Sequence, residues 1–224
     1  MKETLRTVTV VDAVCDAIRE RILTGELGPE EVLYEQATAE LYGVARPTAK
    51  AAIDRLVNTG LLRRSANKSA RVPRLTESDV HDLYFSRLVI ESMAVSHLAS
   101  EGLRPEKARK ALREFDLAVK EGSVEGIIRS DIAFHYAFVE QLDSPRVLRM
   151  YDSIIGEAHL CMVVKQTHQL LGPKAIAKEH REIYDAVVVG DAQVAQAKLS
   201  AHLHRSEHVI RSHFRESANP TSAS

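Results

Sequence analysis

Three punctuation residues, Gly43, Pro47 and Gly60, confine residues 41–60 to very few local structures. Glycine accepts the left-handed backbone that ends a helix. Proline suits the first helical turn, where its missing N–H costs nothing. The stretch therefore reads as the end of one helix, a tight turn at Gly43 and a second helix over 47–59, closed by Gly60. Val44 is the apolar plug of such a turn. Ala49, Ala52, Ile53 and Leu56 recur at helical spacing and predict one buried face. Arg46, Thr48, Lys50 and Arg55 fall off that stripe or at the helix start. A short helix with basic and hydroxyl groups at its N-terminal end is what a DNA major groove accepts. The same pattern alone also suits an ordinary helical hairpin with a solvated basic face.

The flanking sequence tips the balance. Residues 61–74, Leu61 to Arg74, read as two short strands around a polar turn, the wing of a winged helix. From Leu41 to Thr76 there are eight Lys or Arg against one acid, Asp54, whereas the preceding forty residues carry four bases and nine acids. So abrupt an asymmetry is the footprint of a phosphate-binding surface, and the net charge of −1 conceals it. Upstream, Val10–Thr24 is a first helix with Val11, Val14, Cys15, Ile18 and Ile22 on one face. Leu27-Gly28-Pro29 is a turn and Tyr34–Tyr42 a second, short helix. Helix, helix, helix, wing is the winged helix-turn-helix order.

These residues resemble the GntR family of bacterial regulators. The match runs through Ile18-Arg19-Glu20-Arg21-Ile22-Leu23-Thr24-Gly25-Glu26-Leu27-Gly28-Pro29, Leu33-Tyr34-Glu35, Val44-Ala45-Arg46-Pro47-Thr48-Ala49-Lys50-Ala51-Ala52-Ile53, Leu56 and Gly60-Leu61-Leu62. It departs at Glu30, where the family usually has Gly, at Ala45, usually Ser or Thr, and at Ser69, usually the Gly of the wing tip. The resemblance implies double-stranded operator DNA as partner and Gln36, Arg46, Thr48, Lys50 and Lys68 as contacts. Arg46, at the start of the recognition helix, is the candidate for a guanine or an adjacent phosphate. One wing and one short helix read only a half-site, so a homodimer is expected.

The 224 residues are enough for two modest domains, and 45% hydrophobic with 27% charged residues describes a globular chain. Cys15 and Cys161 lie far apart in apolar helical patterns and read as reduced core residues rather than a disulfide. No apolar run reaches the ~18 residues of a membrane span, and Met1-Lys2-Glu3-Thr4 has no hydrophobic signal region; the expectation is a cytoplasmic protein without membrane partners. The expected fold is mainly α: a winged helix-turn-helix domain over residues 1–76, an all-helical bundle over 77–216 and a disordered tail at 217–224. Within the bundle, helices are expected at about 78–100, with Thr76 or Ser78 as cap, and at 105–120, 123–142, 145–171, 173–189 and 191–216.

All ten histidines follow residue 80. In helix 123–142 the apolar stripe is Ile127, Phe134, Phe138 and Leu142, and Asp131 and His135 sit on it, four apart and side by side. His180 lies on the stripe Ile176, Ile183, Val187. His202 lies on the stripe Ala195, Leu199, Leu203 and Val209 or Ile210. A lone inward histidine is commonly a hydrogen-bonded core residue. Three of them with a carboxylate that cannot be buried unpaired point to a divalent metal that satisfies all four: zinc first, with nickel, manganese or iron as alternatives. His204 and His208 fall on another face and read as solvated.

The same positions resemble the FCD effector domain that commonly follows a GntR winged helix: Arg87-Leu88-Val89-Ile90-Glu91, Asp131-Ile132-Ala133-Phe134-His135, Glu179-His180, and Gly190-Asp191 leading to Ala201-His202-Leu203. Ser144 departs from the family's usual Asn. The resemblance implies Asp131, His135, His180 and His202 as metal ligands and a small carboxylate effector completing the metal sphere. It also implies Arg87 as a carboxylate clamp, against the alternative of an intrahelical pair with Glu91. The function expected is a ligand-responsive DNA-binding regulator. A metal-dependent hydrolase on the helical domain and a regulator with a purely structural metal are the competing readings. No nucleophile motif or phosphate-binding Gly-rich loop supports the former.

Overall fold

The computed structural model describes residues 9–64 and 69–218. The chain divides between Arg74 and Leu75 into two compact units. The first begins with α1 (Val10–Leu23), capped reciprocally by Thr9 and Asp12, the box that satisfies two otherwise orphaned N–H groups. It continues through β1 (Val32–Leu33), α2 (Glu35–Tyr42), α3 (Arg46–Asn58), β2 (Arg63–Arg64) and β3 (Ala70–Arg71). Gly43 caps α2 in the left-handed conformation at φ 63°. Pro47 sits in the first turn of α3. Ala49, Ala52, Ile53 and Leu56 are all buried, and α3 packs on α1, where the Cys15 thiol donates to the Ala52 carbonyl at 3.5 Å.

The wing strands β2 and β3 pair antiparallel, with Arg63 opposite Arg71 and Arg64 opposite Ala70. The expected pair is joined by β1, which the sequence reading left in a connection: Val32 faces Arg71 and Leu33 faces Ala70, giving the order β1-β3-β2. Two residues are too few for a periodicity to register. Glu30, the departure from glycine, adopts φ 69°, a region that costs a non-glycine residue strain. Its N–H donates to the Val72 carbonyl and its carboxylate accepts from Arg71 Nη1 at 3.0 Å. Side-chain pairing to the wing takes the place of glycine's backbone freedom. Lys68, and the part of the expected tail at 219–224, lie outside the described residues.

The second unit is α4 (Glu77–Ser100), α5 (Glu106–Glu121), α6 (Val124–Glu140), α7 (Pro145–Thr167), α8 (Pro173–Val189) and α9 (Ala192–Ala218), six helices and no strand among the described residues. The helix expected at 173–189 has those bounds, and the ends of the others agree or shift by up to four residues, because helix ends are set by caps and not by the apolar stripe. Thr76 caps α4 reciprocally with Asp79. α4 runs against α9, and Glu77 accepts from Arg211 and Arg215. α5 and α6 pack face to face and α8 bridges α5 and α9. The α5–α6 approach needs Gly126, where a Cβ would stand 2.9 Å from the Cβ of Ala118. Ile176, Ile183 and Val187 of α8, and Ala195, Leu199, Leu203 and Ile210 of α9, are buried as their spacing predicts. Among the described residues no helix is long and apolar enough to cross a membrane.

Candidate functional site

In the first unit, Arg46 projects from the start of α3 with its side chain 66% exposed, and its guanidinium reaches Glu35 at 3.4 Å. Lys50 pairs with Asp54, one turn on in the same helix, and Arg64 of β2 also pairs with Asp54. Gln36 is exposed at the start of α2 and donates to Glu40 at 2.7 Å; Thr48 is half-buried. Tyr34, Glu35, Gln36, Arg46 and Arg64 line one shallow surface depression. These ion pairs are exposed and individually weak, so phosphates can displace the carboxylates from the arginines and the lysine.

In the second unit, α6, α8 and α9 bring His135, His180 and His202 together, with ligand nitrogens within 4.8 Å of one another. All three rings are buried, with centroids 4.8–5.2 Å apart. Phe134 stacks on His180 at 4.3 Å and Phe115 meets its edge at 5.4 Å. Asp131, one turn before His135, stands at the rim of this trio, its Oδ1 3.6 Å from His180 Nε2. It is not one of the three groups whose ligand atoms all converge.

Each of two histidines is oriented by a carboxylate. His135 Nδ1 lies 2.6 Å from Glu91 Oε2, and His202 Nδ1 lies 2.8 Å from Glu179 Oε2. A carboxylate only accepts, so the ring proton sits on Nδ1 and the Nε2 lone pair faces the cluster, the arrangement found around bound metals. Burial by itself raises the Glu91 carboxyl, but Arg87, His135 and the Tyr151 hydroxyl overcome it and hold the group down at about 2. Burial likewise raises Asp131, and Lys165 is the largest of the influences that outweigh it, leaving the carboxyl well below its usual range. Burial pushes His180 and His202 well below the ordinary imidazole range, with Asp131 opposing only in part. Both are therefore neutral near pH 7, the form that ligates metal.

Among the described residues both Asp131 oxygens, His135 Nε2, both His180 nitrogens and His202 Nε2 are buried without a hydrogen-bond partner. Buried polar atoms are ordinarily satisfied, and these are the donor atoms of a nitrogen- and oxygen-ligated divalent ion. Tetrahedral ligands at about 2.1 Å from one ion stand ~3.4 Å apart, so a trio whose ligand atoms lie within 4.8 Å of one another closes by roughly an ångström or somewhat more to hold one. The residues present fit such a group.

Arg87 is 2% exposed and donates from Nε to Glu91 Oε1 at 2.8 Å, while its Nη1 has no partner among the described residues. The intrahelical pair and a free donor coexist on one guanidinium. Two residues escaped the sequence reading. Tyr151 donates to Glu91 at 2.7 Å. Lys165, fully buried on α7, lies 3.8 Å from Asp131 Oδ1. The signal was present: Tyr151, Ala158 and Lys165 recur at seven-residue spacing on the buried stripe of α7. His204 and His208 are exposed, as expected of the other face of α9.

A winged helix-turn-helix joined in one chain to a six-helix bundle is the domain order of a DNA-binding regulator. The chain matches the family described as bacterial regulatory proteins, gntR family, over residues 10–72, and the FCD domain over residues 82–205. It belongs to the GntR family of bacterial transcriptional regulators, in its FCD-containing form. It is similar to the HTH-type transcriptional regulator YdhC of Bacillus subtilis (strain 168), 26% identical over 196 residues that cover 86% of this chain and 87% of that one. A GntR transcriptional regulator from Rhodococcus sp. RHA1 superposes with a TM-score of 0.73 at 27% identity, covering 89% and 96% of the two chains. Escherichia coli McbR/YncC shares the fold, with a TM-score of 0.76 at 19% identity over 93% and 100%.

Proposed function

We propose that residues 77–216 bind a divalent metal ion, zinc in the first instance, through Asp131, His135, His180 and His202. A small carboxylate completes its coordination, and this binding modulates the affinity of the winged helix, residues 1–76, for operator DNA. The observation that carries the reading is the convergence of three buried histidines, with Asp131 at their rim, whose facing donor atoms lack hydrogen-bond partners. The unused Nη1 of Arg87 supports its role as effector clamp, made compatible with the Glu91 pair because the two use different nitrogens. Gln36, Arg46, Thr48, Lys50 and Lys68 are the proposed DNA contacts, and the cytoplasm is the proposed location.

The working unit is a homodimer. Phe85, Val89 and Met93 recur every four residues on α4 and are 60%, 56% and 47% exposed. An apolar stripe left open on an otherwise well-packed helix supports burial against a second copy. Coupling of the two sites is reciprocal: if the effector weakens DNA binding, DNA weakens effector binding by the same factor, typically about 1–3 kcal/mol.

The test is His180→Ala and His202→Ala, read by zinc content, by acid-induced thermal shift with and without chelator, and by operator gel shift. Loss of zinc and of the acid response with DNA binding retained is expected. Variants that bind zinc and answer the acid like the wild type would show that this cluster is not the metal and effector site.

A further inference from the structure

We propose that the effector is a short dicarboxylate and that Lys165 is the residue that selects its second carboxylate. The inference deepens the reading above and rests on it. Lys165 Nζ is fully buried and has no hydrogen-bond partner among the described residues; its nearest anion, Asp131 Oδ1 at 3.8 Å, is beyond hydrogen-bond reach. An ammonium group carries three donors and no acceptor, and leaving them unmet in the interior is costly. Arg87 Nη1 is unmet as well. The interior thus holds unused donors of one sign on α4 and α7, facing the cluster from helices that supply none of the proposed metal ligands.

Charge balance leads to the same ligand class. The buried cluster contains two carboxylates, Glu91 and Asp131, and two cations, Arg87 and Lys165, beside the three histidine rings. Glu179, at its edge, is matched by Arg205 at 2.7 Å. The cluster is therefore close to neutral on its own, and a divalent ion leaves it with two positive charges uncompensated. A monocarboxylate neutralises one of them and a dicarboxylate both. One carboxylate completes the ion's coordination. The other accepts from Lys165, with Arg87 as supporting cation, so that the anion satisfies the donors the fold leaves open.

Calorimetric titration of the zinc-loaded full-length protein with succinate and glutarate, against butyrate and valerate, tests the assignment. Wild type is expected to favour the dicarboxylates by about tenfold or more, the scale of a charge-assisted hydrogen bond. In Lys165→Met and Lys165→Gln the ratio should fall below about threefold. A wild-type preference below threefold, a preference that survives both substitutions, stronger binding of 2-phosphoglycolate than of succinate, or no binding of either dicarboxylate would each overturn it. The wild-type comparison decides even if a variant fails to fold, which melting curves and zinc content reveal. Repeating the wild-type titration after chelation separates the two ideas. Acids that bind equally well without metal refute the metal-carboxylate reading, while a Lys165-dependent preference would still stand.

Discussion

Glu91 is the residue on which the interior of the helical domain turns, and Glu91→Gln is the substitution that exposes this. Its side chain is fully buried and accepts three bonds: from Arg87 Nε at 2.8 Å, from the Tyr151 hydroxyl at 2.7 Å and from His135 Nδ1 at 2.6 Å. Glutamine keeps the volume but removes the charge and replaces one acceptor oxygen by a donor. Arg87, 2% exposed, then holds a buried charge without its counter-ion. Breaking a buried pair from one side costs about 3–5 kcal/mol. At about 2–4 °C per kcal/mol for a chain of this size, the melting temperature should fall by roughly 6–20 °C. The His135 tautomer loses its anchor, so zinc affinity should also drop, by about tenfold or more. Differential scanning calorimetry and competition with a zinc indicator measure the two effects. Arg87→Met combined with Glu91→Gln should recover most of the stability but not the zinc affinity, because the unpaired cation is gone while the histidine is still unanchored. Single-variant stability within 1 kcal/mol of wild type, or strictly additive losses in the double variant, would refute the view that the Arg87–Glu91 pair is what the domain cannot break.

Arg46→Ala should weaken operator binding by about 1–3 kcal/mol if the exposed guanidinium reads a base; an unchanged gel-shift titration at fixed salt removes Arg46 from the interface. Sedimentation at micromolar concentration should give twice the chain mass of 24.9 kDa, and Phe85→Glu, which puts a charge on the exposed α4 stripe, should shift it toward the single chain; a monomeric wild type, even with operator present, sinks the dimer. Acid should destabilise the metal-free protein earlier than carboxylate titration alone would. His180 and His202 resist protonation when folded, so below about pH 6.5 the unfolded chain binds more protons and stability falls as pH drops, by up to ~2.7 kcal/mol per unit for two groups. The Glu91 contribution, whose folded value is about 2 against 4.5, is present above pH 4.5 and is lost only as pH falls toward 2. A flat denaturation midpoint between pH 6.5 and 5 would contradict the neutral, buried state of the two imidazoles.

Much of this molecule was legible in short stretches of chain. Gly43, Pro47 and Gly60 set the helix-turn-helix because turns and caps depend on the backbone preferences of single residues. The stripes on α6, α8 and α9 turned Asp131, His135, His180 and His202 inward because a helical period of 3.6 assigns each residue a face. Sequence alone could go no further than the face. That His135 and Glu91, 44 residues apart, share a hydrogen bond, that Tyr151 joins them, that Asp131 stands beside the trio while Lys165 stands beside Asp131, and that two-residue β1 adds a third strand to the wing were decided by packing. Arg87 illustrates the division. Its spacing from Glu91 permitted either an ion pair or a free clamp, and the tertiary structure spends one nitrogen on the pair and leaves another open. Period and punctuation are properties of neighbouring residues. Which buried groups meet depends on how helices pack across the core, and that information is distributed over the whole chain.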